Sequence, residues 1–85
     1  MIAWRDYLTM LCEDGVELAR SEDESLDADG HRIENLTLVR YLDGRLLFQE
    51  LPPIEDTDEP VRPYLQRQIM NTLRLPPERY AFGRL

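Results

Sequence analysis

Lysine is missing altogether: all ten basic residues of this 85-residue chain are arginines. Cysteine and histidine each occur once, as Cys12 and His31. A lone cysteine excludes an internal disulfide and fits a reducing compartment. One thiol and one imidazole on unrelated segments give no support to nucleophilic catalysis. A working dyad needs its members within hydrogen-bond reach and a third group to orient the base. Cys12, on an apolar helical stripe, is expected in the core, and His31 at a strand start or in solvent. No catalytic residue and no cofactor are therefore assigned. No apolar run approaches the ~18 residues that a membrane span requires. Trp4, Arg5 and Asp6 interrupt any apolar leader, so the chain is expected in the cytoplasm, without membrane contact.

Acid is what the sequence has in quantity, with a formal net charge of −7 at pH 7. It is unevenly spread. Residues 1–60 hold sixteen acids against five arginines, whereas residues 61–85 hold five arginines and only Glu78. Over most of the surface this field repels a polyanion. With 42% apolar and 32% charged residues the composition is that of a folded protein. The length fits a single domain over residues 1–85, with a small core that a partner could extend.

Ala3, Trp4, Tyr7, Leu8, Leu11 and Cys12 recur at helical spacing, and Gly15 sits where a left-handed residue would end that helix. Val16 to Arg20 alternates as a short strand. Residues 21–30 carry five acids and read as a solvated acidic loop. Asp23, Glu24, Asp27 and Asp29 ahead of Gly30 invite a calcium-loop reading, but the register puts Ser25 at the first ligand position and Leu36 at the last. No metal site is assigned.

Arg32 to Pro52 carries the clearest pattern. Two apolar runs flank Asp43-Gly44, a pair suited to a two-residue hairpin turn. With that turn Leu42 faces Arg45, Tyr41 faces Leu46 and Val39 faces Phe48. One face then gathers Ile33, Val39, Tyr41, Leu46 and Phe48. The other gathers Leu36, Leu38, Leu42, Leu47 and Leu51, broken by Arg40, Arg45 and Gln49. Pro52-Pro53 ends the strand. From Val61 to Leu75 the spacing of Val61, Leu65, Ile69 and Leu73 predicts a second helix, with Pro60 or Pro63 in its first turn. Pro76-Pro77 stops it. The tail, residues 76–85, with Tyr80, Phe82 and Leu85, is expected to add an edge strand or lie across the sheet.

The expected class is α+β: an N-terminal helix, a three-stranded antiparallel meander, a C-terminal helix and an apolar tail. The order resembles that of double-stranded-RNA-binding domains, but Asp56, Asp58 and Glu59 stand where that family places basic residues. A sheet apolar on both faces predicts a partner. The aromatic face is assigned to the core. The leucine-rich face is assigned to contact: Leu36, Leu38, Leu47 and Leu51, with Arg40 and Arg45 as rim charges. On that assignment a Leu38→Glu change separates the partners and leaves the monomer folded. The functional expectation is a small acidic, non-catalytic interaction or regulatory protein, acting as a homodimer or docking on a larger protein in the manner of inhibitors, antitoxins or immunity proteins. The alternative is nucleic-acid binding through Arg67, Arg74, Arg79 and Arg84, with Tyr64, Tyr80 and Phe82 available to stack on bases.

Overall fold

Helix α1 covers Trp4–Glu13, and its N-terminus is closed by a distant segment rather than by a side-chain cap. The Trp4 and Arg5 amides donate to the carbonyls of Glu59 and Thr57, each at 2.9 Å, and Val61 N donates to Ile2 O. The first orphan donors of the helix are thus satisfied by chain passing more than 50 residues later. Its other end is a Schellman closure: Gly15, at φ 92°, donates to Cys12 O, and Val16 N donates to Leu11 O. These contacts belong to a computed structural model that describes residues 1–20 and 32–81. The acidic loop at 21–30, His31 and the terminal residues Phe82, Arg84 and Leu85 lie outside the described residues.

Strands β1 (Glu17–Arg20), β2 (Leu36–Leu42) and β3 (Arg45–Glu50) form an antiparallel sheet in that order. Helix α2 (Pro63–Thr72) and a single turn, α3 (Pro77–Tyr80), follow. The α+β class and the hairpin register read from the sequence are both observed: Leu42 pairs with Arg45, Tyr41 with Leu46 and Val39 with Phe48. Asp43 and Gly44 both have positive φ, as the tight turn demands. Proline fills the first turn of α2, and that helix is shorter than the periodicity implied. Val61 lies outside it, buried, with its amide donating to Ile2 O.

The core joins α1 (Trp4, Tyr7, Leu8, Leu11), one sheet face (Leu36, Leu38) with neighbouring Leu51, and the C-terminal part (Leu65, Ile69, Leu73, Leu75, Tyr80). Trp4 meets Tyr7 edge-on at 5.9 Å between ring centroids, and Tyr7 meets Tyr80 the same way at 6.3 Å. These spacings and angles are those of favourable aromatic pairs.

Three expectations are corrected here. The sheet is covered on the opposite face from the one expected: Leu36, Leu38 and Leu51 are 3%, 0% and 8% exposed, while Tyr41, Leu46 and Phe48 are 69%, 58% and 59% exposed. Arg40 explains why the leucine face accepts burial despite its charges. Its Nη1 donates to the carbonyls of Leu73 (2.8 Å) and Arg74 (2.7 Å), where α2 ends. The stem covers apolar surface and the head meets the negative end of a helix dipole. Ile33 also moves to the buried side. Asn35, at φ 59°, breaks the alternation between Ile33 and Leu36, and Ile33 instead bridges Ile54 through two backbone bonds.

Cys12, expected in the core, is exposed. It lies at the edge of the buried stripe defined by Tyr7, Leu8 and Leu11. Within its described part the tail is neither a strand nor a cover for the sheet. Residues 77–80 make one helical turn that docks Tyr80 on the C-terminal end of α1.

Candidate interaction surface

The outer face of the sheet is built in rows, because residues paired across strands share a side. Tyr41 and Leu46 form the row nearest the turn; Glu17, Val39 and Phe48 form the next; Ala19, Thr37 and Glu50 form the last. Val39, Tyr41, Leu46 and Phe48 therefore make a square of apolar side chains. Glu17 lies beside it, Glu50 beyond Phe48, and Asp43 at the turn. Every arginine of the three strands, Arg20, Arg40 and Arg45, falls on the helix side by the same alternation. Three large side chains together in water are more than the scattered apolar exposure of an ordinary surface.

The contact set expected from the sequence divides. Leu36, Leu38 and Leu51 are inside the chain's own core, and Leu47 is half-buried against it. Arg40 is committed to the end of α2. Arg45 is exposed and borders a shallow depression with Leu42, Asp43, Leu47 and Arg74. The side chains at the surface, Tyr41, Leu46 and Phe48, are those of the face expected to be core. Their signal was legible, since Glu17 and Glu50 share their face; the side the helices would choose was not.

The arginines proposed for nucleic acid differ in their surroundings among the described residues. Arg67 and Arg74 are exposed. Arg79 is tied to Asp14, with Nε 2.8 Å from Oδ2, and Arg84 is not described. The Tyr80 hydroxyl donates to the same Asp14 carboxylate and also approaches Met10 O at 3.4 Å. The hydrogen bond from Arg79, then that from Tyr80, holds the Asp14 carboxyl below the usual carboxylate range. Burial, followed by the Asp14 carboxylate, pushes the Tyr80 phenol above its ordinary value. Burial alone does the same to Tyr7. Asp14, Arg79 and Tyr80 thus lock the end of α1 to α3, and each group is occupied by that task.

Arg5 pairs with Asp58, and Arg32 with Glu34 and Glu55. Among the described residues no group of three or more histidine, cysteine, aspartate or glutamate side chains is placed to hold a metal ion. None of the described helices is long and apolar enough to cross a membrane. No family model, no characterised protein and no solved structure matches this chain.

Proposed function

We propose that the chain is a non-catalytic protein–protein interaction module whose contact is the outer face of β2 and β3. One observation carries this reading: Tyr41, Leu46 and Phe48 stand next to one another, each more than half exposed, on a sheet whose other face already packs the core. A sheet has two faces, and stable domains cover both unless one is polar. Here the uncovered one is apolar at its centre. The Asp14, Arg79 and Tyr80 cluster fits a structural role. The overall negative charge would speed encounter with basic partners and disfavour nucleic acid.

A photo-crosslinking amino acid placed at position 48, compared with one at Thr9 on the exposed side of α1, tests the reading in cells of the native host. A discrete protein adduct from position 48, a second copy or another chain, is expected, with none from position 9. Equal, diffuse labelling from both positions would remove the proposal.

A further inference from the structure

We infer that the outer-face square takes a basic amphipathic helix from another protein rather than a second copy of this chain; the inference rests on the interaction reading above and adds the partner's chemistry. Charge comes first. Val39, Tyr41, Leu46 and Phe48 are bordered by Glu17, Glu50 and Asp43, while the arginines of the three strands lie on the opposite side. A partner that covers the apolar centre must set its own rim against carboxylates on three sides. Lysine or arginine there is attracted, and a carboxylate is repelled. Two copies placed face to face would bring these acidic rims within about 10 Å of each other, the spacing of packed sheets. Each copy would also carry its net −7 into that encounter.

Size gives the second argument. Tyr41, Leu46 and Phe48, each more than half exposed, with half-buried Val39, offer on the order of 400 Å² of apolar surface, scaled from the ~150–250 Å² of a full aromatic side chain. A stable interface of standard size uses roughly 800 Å² on each partner. The square is too small to hold a symmetric dimer by itself, but it matches the apolar stripe of a short helix. Tyr41 and Val39 are two residues apart on one strand, about 6.8 Å by strand rise. Helical residues at i and i+4 are about 6 Å apart along the axis. Two or three apolar residues of such a helix can seat on the square. Its flanking basic residues then lie over Glu17 on one side and near Glu50 and Asp43 at the ends. Recognition of this kind reads apolar anchors at i, i+3, i+4 and i+7.

The test uses the full chain and two labelled 18-residue helical peptides with the same leucine stripe. One has lysine at every other position, and its sister has glutamate. Fluorescence anisotropy at 0.15 M salt reads binding, and thermal melting confirms that each variant is folded. The lysine peptide should bind the wild type, and the Leu46→Ser, Phe48→Ser double variant should bind it at least tenfold more weakly. A Glu17→Lys, Glu50→Lys variant should lose tenfold for the lysine peptide and gain the glutamate one. A Glu59→Lys, Glu78→Lys variant, with the same change in net charge away from the square, should stay within threefold of wild type.

Binding that ignores Leu46 and Phe48 overturns the inference, because it is then attraction to an acidic surface in general. A wild-type dimer by light scattering that Phe48→Ser dissolves also overturns it, while leaving the interaction reading in place. Duplex RNA bound through the square overturns both. A monomer that binds neither peptide removes the basic-helix partner, and the wider reading then stands or falls on the position-48 crosslink.

Discussion

Replacing Leu38 with alanine and, separately, Phe48 with alanine weighs the two faces of the sheet against each other. Leu38 is fully buried on the central strand, flanked by β1 and β3. Alanine removes three carbon atoms from water-free surroundings, worth about 2.4 kcal/mol at ~0.8 kcal/mol each. A central strand relaxes little, so a cavity contribution brings the loss to about 3–4 kcal/mol. For a chain of this size the total stability is on the order of 4–13 kcal/mol. The melting temperature should fall by roughly 12–32 °C at ~4–8 °C per kcal/mol. Phe48 is 59% exposed. Its replacement forfeits less than half of a phenylalanine's burial, about 1 kcal/mol, and leaves no cavity. Urea unfolding followed by circular dichroism, with the denaturant dependence fitted for each protein, reads both numbers. A Leu38→Glu chain should be unfolded rather than merely separated from a partner, since it buries an unpaired charge. If the Phe48 variant proved the costlier of the two in a monomeric protein, the assignment of core and surface would be refuted, and the proposed contact with it.

Further outcomes follow from individual contacts. Arg74 occupies the left-handed position that closes α2, at φ 55°, where α1 uses Gly15; Arg74→Gly should raise stability by about 0.5–1 kcal/mol in a urea titration, and a loss would show that the arginine side chain matters more than its backbone strain. Arg40→Met keeps the apolar stem but abandons the carbonyls of Leu73 and Arg74; a loss of about 1.5–3 kcal/mol is expected, and a neutral result would mean those carbonyls are adequately met by water. The Asp14 carboxyl is held low in the folded chain by Arg79 and Tyr80, so its contribution is present above the unfolded value near 3.9 and disappears as pH falls through the lower folded value; Asp14→Asn should flatten that acid limb, and an unchanged limb would refute the linkage. Tyr7 and Tyr80 are both raised, so stability should begin to fall as pH rises past about 10, the ordinary tyrosine value, and Tyr7→Phe should flatten this alkaline limb in thermal melts.

Much of the architecture was written locally. The Asp43-Gly44 turn fixed the hairpin register, because a two-residue loop with positive φ at both positions leaves one way to pair the flanking strands. The i, i+3, i+4 spacing of Trp4, Tyr7, Leu8 and Leu11 identified α1, Gly15 ended it, and proline started α2. These are properties of a few consecutive residues, and neighbours in sequence decide them. What the sequence could not decide was the side of the sheet that the helices would cover. Both faces were apolar enough to be core, and both carried charge. Tertiary structure made the choice through contacts 33 and 34 residues apart, where Arg40 reached the carbonyls that end α2 and allowed the leucine face to be buried with its arginine satisfied. Asn35 turned Ile33 to the same side, and Asp14 caught Tyr80 and Arg79 from across the chain. Local pattern sets the period and pairing of an element, because turn and backbone sterics act over a few residues. The identity of its buried face depends on what arrives from elsewhere, and so does the surface left for a partner.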